Sequence, residues 1–130
     1  KYKSYKDDVV KRLKEASMTA LETTGLEAQR DVNMKITANQ QVDTGRMRAS
    51  VTYIAGNKLG KVMPDLKGTV HSEDNPKGTL PEDTLHIGTN VHYAIWQEKK
   101  NPFLTPTVKN NMKKYTDMMG KIFAQVMQRR

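Results

Sequence analysis

The chain has 130 residues, 22 of them basic and 14 acidic, which gives a net charge of +8 at neutral pH. Its length fits one domain, and an apolar content of 36% supports one modest core. The absence of cysteine excludes disulfides, thiolate metal sites and cysteine nucleophiles, and no apolar run approaches the roughly 20 residues that span a bilayer, so we expect no membrane-spanning helix.

The first predicted element is a long helix over residues 5–38. Small and apolar residues recur there every three or four positions, which is the spacing of one helix face. This stripe consists of Val9, Leu13, Ala16, Ala20, Thr24, Ala28, Val32 and Ile36. Gly25 lies within the helix at a cost of roughly 1 kcal/mol relative to alanine, and we interpret it as a bend.

The middle of the chain, residues 42–88, is predicted to be rich in strands. Residues 50–55 are β-branched and aromatic and predict a strand, which is followed by turn residues at Gly56, Asn57 and Gly60. Further short strands are predicted at 61–63, 68–71 and 84–88. Residues 72–83 contain one large apolar residue, so we expect an exposed loop that is either mobile or ordered by a neighbouring subunit.

Two helices are predicted in the last third, a short one at 90–100 and a long one at 106–130, which begins with a proline. The long helix carries a regular apolar seam formed by Val108, Met112, Tyr115, Met119, Ile122 and Val126. This seam either packs on the sheet of its own domain or forms an interface between copies. Trp96, the only tryptophan, is likewise either a core anchor or an interface hot spot.

A three-residue segment, Asp43-Thr44-Gly45, matches the catalytic triplet of aspartic proteases in sequence. Those enzymes need two buried carboxylates that share a proton, whereas two arginines follow Asp43 within five residues and would hold it ionised. We therefore predict a structural role. Asp43 or Thr44 caps a short helical turn, Gly45 permits a tight backbone, and Ser50 begins the strand.

The remaining ionisable residues form no catalytic or metal-binding pattern. The three histidines lack the spacing of metal ligands; they are His71, His86 and His92. The acidic residues nearest the predicted sheet edge are Glu82, Asp83 and Glu98, and nothing in their segments indicates the burial that acid–base catalysis requires. We expect no enzymatic activity, no metal and no cofactor.

Two segments carry a family resemblance. The first spans residues 42–51 and contains Asp43, Thr44, Gly45, Arg46 and Ser50. The second spans residues 86–106 and contains Gly88, Tyr93, Ala94, Glu98, Pro102, Phe103, Leu104 and Pro106. Their order, between helices at both ends, resembles the phage tail-component family typified by gene product ten of a lambdoid phage, a head–tail joining or neck family.

This resemblance implies a single α+β domain in which a small, mostly antiparallel sheet is flanked by long N- and C-terminal helices. It implies a closed ring of copies in the virion neck or at the top of the tail, six-fold or twelve-fold, assembled in the bacterial host cytoplasm. The implied partners are the connector or head-completion protein and the tail terminator or tail tube proteins. DNA would pass through the lumen without specific binding.

The positive charge supports an alternative function. A net charge of +8 favours contact with polyanions, so a small nucleic-acid-binding module is the second hypothesis. The same charge is also consistent with a solvated basic surface that keeps copies soluble.

Overall fold

The computed structural model describes residues 2–41, 45–81, 84–91 and 93–128. Its helices are α1 (Tyr2–Ala38), α2 (Arg46–Ser50), α3 (Ala94–Lys100), α4 (Thr105–Asn110) and α5 (Met112–Gln128), and its strands are β1 (Thr52–Ala55), β2 (Lys58–Leu59) and β3 (Leu85–Gly88). The strands form one antiparallel sheet in the order β2-β1-β3. The predicted α+β fold, with long helices at both ends, is confirmed.

Helix α1 is covered by its own chain over only part of its length. The predicted stripe is buried from Ala16 to Ile36, but Val9 and Leu13 are exposed, Leu13 by 41%. Helix α5 runs back along α1 in the opposite direction, since Tyr115 contacts Asp31 while Met119, further along α5, packs near Leu21. The seam of α5 therefore packs mainly on a helix, and Met119 also reaches the sheet.

Gly25 allows strand β1 to approach α1 closely. A Cβ atom at this position would lie 2.7 Å from Cγ of Tyr53, a distance that real Cβ contacts do not show. The helix runs unbroken through Gly25. The glycine that we interpret as a bend thus serves a contact between helix and sheet instead.

The predicted strand at 50–55 begins two residues late, at Thr52. Ser50 is the last residue of α2, where its hydroxyl donates a 2.6 Å hydrogen bond to the carbonyl of Met47. Val51 then turns the backbone into the extended region. The prediction that Ser50 starts the strand is wrong, because its side chain closes the helix before the chain extends.

The strands predicted at 61–63 and 68–71 are also wrong. An isolated bridge between Pro64 and Val70 is the only pairing there, and β2 lies instead at Lys58–Leu59, where it closes a tight hairpin with β1. Asp65 accounts for the difference, because its carboxylate accepts backbone hydrogen bonds from Lys67 (2.9 Å) and Thr69 (3.0 Å) and holds a local turn.

The predicted loop at 72–83 is partly ordered by its own chain. Ser72–Asp74 forms a 3-10 turn, and Asp74 is buried. Residues 77–79 are exposed, as expected, and Glu82 and Asp83 lie outside the described residues. Ser72 and Glu73 are exposed, so the expectation of exposure fails only at the buried Asp74. The expectation that the loop is mobile or ordered by a neighbouring subunit is wrong for this 3-10 turn, which its own chain orders.

The C-terminal helices differ from the prediction at two points. The short helix begins at Ala94 rather than residue 90, and the long helix is divided into α4 and α5 at Asn111. The Asn111 side-chain amide donates a 2.8 Å hydrogen bond to the carbonyl of Thr107, which also accepts the Asn111 backbone N–H. This local competition ends α4.

We predict that Gly45→Ala destabilises the protein more than Gly78→Ala. Both glycines have a left-handed φ, of 85° and 90°, but a Cβ at Gly45 would lie 2.9 Å from Cγ of Leu66, whereas Gly78 has open space. Backbone strain costs about 1–3 kcal/mol in each variant, and the contact adds about 1 kcal/mol or more to Gly45→Ala. Denaturant unfolding measures both; equal losses would contradict the packing argument.

Candidate functional site

The two segments that carry the resemblance meet in one hydrophobic cluster. Its buried members are Val32, Ile36, Met47, Val51, Ala94 and Phe103, with Ile87, Tyr93 and Leu104 packed against them. Met47 and Val51 belong to the first segment, whereas Tyr93, Ala94 and Phe103 belong to the second. The segments are thus distant in sequence but form a single packed unit.

The start of α2 is organised by glycine in the described part of the segment. Gly45 is the N-cap residue, with a left-handed backbone and no side-chain capping hydrogen bond. Asp43 and Thr44, which we expect to cap this turn, lie outside the described residues, so that expectation stays a prediction. The short helical turn itself is confirmed at Arg46–Ser50.

Glu98 organises the turn between α3 and α4. Its carboxylate accepts backbone hydrogen bonds from Phe103 (3.0 Å), Leu104 (2.9 Å) and Thr105 (3.0 Å). Burial acts to raise the pKa of Glu98, but the three N–H donors outweigh it and hold this pKa below its ordinary range. The expectation that Glu98 is not buried is wrong: the side chain is half-buried and structural.

Prolines flank the turn that Glu98 holds. The carbonyl of Pro102 accepts a 3.1 Å hydrogen bond from the side chain of Asn39, just past the end of α1. Pro106 lies in the first turn of α4, as predicted, where a missing N–H is tolerated. The turn is therefore fixed to both α1 and α3.

Ser50 joins α2 to the segment after β3. Its hydroxyl forms a short hydrogen bond with the hydroxyl of Thr89, which in turn accepts a hydrogen bond from the backbone N–H of Val91. Thr89 directly follows Gly88, the last residue of β3. Because Ser50 also donates to Met47, its hydroxyl is committed to structure and is not poised as a nucleophile.

Arg46 anchors the 3-10 turn to α2. Its guanidinium makes two hydrogen bonds to the buried carboxylate of Asp74, from Nε at 2.9 Å and from Nη2 at 3.0 Å. Nη2 also contacts Glu73 at 3.1 Å. On the other side, the Asn90 side chain donates to the backbone carbonyls of Asp74 and Asn75. This motif arginine therefore orders the start of the loop from within the subunit.

The two described histidines, His71 and His86, do not form a site together. His71 forms ion pairs with Asp65, at 2.8 Å, and with Glu73, at 3.4 Å. His86 is exposed on β3, and His92 lies outside the described residues. Within the described part of the chain, no group of three or more His, Asp or Glu side chains is placed to hold a metal ion.

The candidate interface residues divide into buried and exposed ones. Tyr115 is buried and donates its hydroxyl to Asp31 at 2.8 Å, so its assignment to an interface is wrong. Burial and this hydrogen bond both raise the pKa of Tyr115 above its ordinary value. The half-buried members of the α5 seam are Met119, Ile122 and Val126. Met112 and Trp96 are exposed.

Trp96 lies on the surface rather than in the core. Its side chain is 64% exposed and that of neighbouring Ile95 58%. Beside them, a groove of about 530 Å³ is lined mainly by apolar side chains, including Val91, Ala94 and Phe103. A second groove, of about 650 Å³, runs along the outer face of α1 between Leu26 and Ala38. These are surfaces for contact, and neither is lined by a pattern of catalytic groups.

No described helix combines the length and apolar character needed to cross a membrane. The chain matches none of the protein families, curated proteins or solved structures with which it was compared. The family resemblance of the sequence therefore stays a prediction.

We predict that Glu98→Gln lowers the free energy of unfolding by about 2 kcal/mol at pH 7, because an amide replaces one of the charged acceptor oxygens with a donor. The pKa of Glu98 is lowered in the folded state, so its stabilisation is complete above its ordinary value near 4.5 and is lost as pH falls. The difference between wild type and variant should shrink towards pH 3 in denaturant unfolding. Glu15→Gln, at an exposed position on α1, should show no such effect.

We predict that His71→Gln destabilises the protein more at pH 5 than at pH 8.5. The hydrogen bond to Asp65 raises the pKa of His71, with Glu73 adding to the effect and Arg46 opposing it. A raised pKa stabilises the folded state below the ordinary value near 6.5, and this contribution is lost as pH rises through the folded-state value. His86→Gln is the control. A pH-independent loss in His71→Gln would contradict the ion-pair argument.

Proposed function

We propose that this chain is a structural subunit of a phage neck or tail-top ring and has no catalytic role. The observation that supports the proposal is the meeting of the two motif segments in one core, held by Glu98 at one turn and by Ser50 and Thr89 at another. Tyr93, Ala94, Phe103 and Leu104 of the motif are used for packing. The motif side chains of Arg46, Ser50 and Glu98 are used for hydrogen bonds. The motif thus behaves as the signature of a fold, which is what a structural family would share.

The exposed surface of α3 supports a role in assembly. Ile95 and Trp96 together expose a large apolar surface beside the groove that contains Phe103. Tryptophan is enriched among the residues that carry most of the energy of protein interfaces. Two adjacent exposed apolar side chains beside an apolar groove are typical of a surface that contacts another protein. We propose that this surface binds a neighbour in the assembled particle.

Ring formation requires two different surfaces on each subunit. A closed ring is built from heterologous contacts, in which one face of a subunit meets another face of the next. The α3 surface and the outer groove of α1 are lined by different residues and so offer two unlike faces. We propose a six-fold or twelve-fold ring on the virion axis, between the connector or head-completion protein and the tail terminator or tail tube proteins.

The alternative function, a nucleic-acid-binding module, makes a different prediction. Such a module binds DNA as its main activity, and its affinity falls with salt by a log–log slope of about −0.9 per neutralised phosphate. It has no need to assemble with copies of itself or with neck proteins. Assembly, rather than DNA binding alone, therefore separates the two functions.

We predict that Trp96→Ala abolishes incorporation into the ring while leaving the free energy of unfolding within about 0.5 kcal/mol of wild type, because the side chain is exposed. Leu59→Ala, which truncates an exposed apolar residue on β2, is the matched control and should assemble normally. Imaging of assembled particles, with light scattering of the chain mixed with neck proteins, measures both.

The proposal fails if wild-type protein lies off the virion axis or is absent from particles. If Trp96→Ala assembles normally, the proposal of a ring stands, but the α3 surface is not part of the ring interface.

A further inference from the structure

One end of the molecule concentrates lysines from four helices. They are Lys35, Lys99, Lys100, Lys109 and Lys113, and we call this surface the lysine end. The end of α1 is joined to the residues after α3 by the hydrogen bonds of Asn39 to Pro102 and of Gln41 to Asn101. Lys109 and Lys113 shortly precede Tyr115, whose contact with Asp31 places them level with the last turns of α1. All five side chains are exposed.

Two described carboxylates close to the lysine end, those of Glu98 and Asp31, are engaged in other contacts. Glu98 accepts three backbone hydrogen bonds, and Asp31 binds Lys114 at 2.9 Å and the Tyr115 hydroxyl at 2.8 Å. Among the described residues, no carboxylate lies within ion-pair distance of any of the five ammonium groups. From Lys99 to Thr116 the sequence has no acidic residue at all. Across the part of the chain that the structure describes, the positive charge of this end therefore has no carboxylate partner.

We propose that the lysine end binds the phosphodiester backbone of nucleic acid without sequence preference. Uncompensated lysines attract phosphates through release of condensed counterions, and this term supplies essentially all of non-specific binding. An acidic protein is the less favoured occupant, because lysine is depleted at protein interfaces relative to the rest of the surface. Lysine ammonium groups neutralise phosphates whatever the base sequence, so we expect the contact to be with the backbone.

This inference deepens the proposed function and rests on it only for its role: in a ring, the lysine end would face the DNA that passes through. The binding itself does not require a ring and is measured on the free chain. The Trp96 surface is adjacent but separate, and Lys99 connects the two, since its ammonium lies 5.1 Å from the centroid of the Trp96 ring. Because Trp96 is the only tryptophan, its fluorescence reports directly on whether Lys99 moves when a ligand binds.

The experiment titrates the full chain with labelled 20-base-pair duplex DNA of mixed sequence and, separately, with a single strand of the same length. Anisotropy of the label gives the affinity at several salt concentrations, and Trp96 fluorescence identifies the site. We expect a log–log slope of about −3.6 to −4.5 on duplex DNA, which corresponds to about four or five neutralised phosphates at about −0.9 each. A steeper slope and tighter binding on duplex than on the single strand would assign the contact to double-stranded DNA, and the reverse to single-stranded nucleic acid.

The matched variants are Lys99→Gln/Lys100→Gln at the lysine end and Lys58→Gln/Lys61→Gln beside the hairpin, two pairs of exposed lysines. The first should reduce the slope by about 2, at about 0.9 per charge, and the second should leave it unchanged. Equal reductions in both variants, or no binding to either nucleic acid at 50 mM salt, would overturn the inference. So would binding of polyglutamate without binding of DNA, which would indicate an acidic protein.

The two proposals fail in different ways. Ring assembly without DNA binding removes the inference and leaves the ring. DNA binding with the expected slope but without any ring removes the proposed function and leaves the lysine end as a nucleic-acid site.

Discussion

The close approach of β1 to α1 at Gly25 is the constraint on which the rest of the structure depends. The ring of Tyr53 occupies the space that any side chain at position 25 would fill, so the strand lies directly against the helix backbone. Tyr53 and Ala55 then form a small core with Leu21, which β3 extends through Leu85 and Ile87. Because β3 leads into α3, this one contact also sets where the second motif segment meets the first.

The parts of the fold that follow from regular periodicity could be predicted from the sequence. The face of α1 from Ala16 to Ile36 and the α5 seam repeat at helical spacing, and both are found as helices. Three of the errors in element bounds occur where one polar side chain forms a hydrogen bond with nearby backbone. Ser50 closes α2, Asp65 holds a turn where a strand is predicted, and Asn111 divides the last helix. Such bonds depend on single atoms and leave no periodic signal.

The side-chain contacts of the candidate site could not be predicted from the sequence either. The roles of Glu98 and Arg46 as structural anchors depend on partners five to 28 residues away, and neither partner is marked in the sequence. The sequence leaves open whether Trp96 is a core anchor or an interface residue, and its exposure in the fold, where Phe103 is the buried aromatic residue of the cluster, excludes the core anchor. The positive charge of the lysine end, by contrast, is indicated in the sequence by a stretch from Lys99 to Thr116 without acidic residues. What sequence alone lacks is the fold that brings Lys35 beside it.

The exposed stretch of α1 at residues 8–15 has a consequence for how the protein unfolds. Residues 8–15 are all exposed, although they belong to a single helix of 37 residues. An isolated helical segment of this length is marginal in water, since most helical stability comes from tertiary packing. We therefore expect backbone amides at residues 8–15 to exchange with solvent through local opening, at a lower free energy than the amides of the buried face from Ala16 to Ile36. A neighbour that packs on the exposed Val9 and Leu13 would bury this part of α1 and raise its local stability towards that of the buried part.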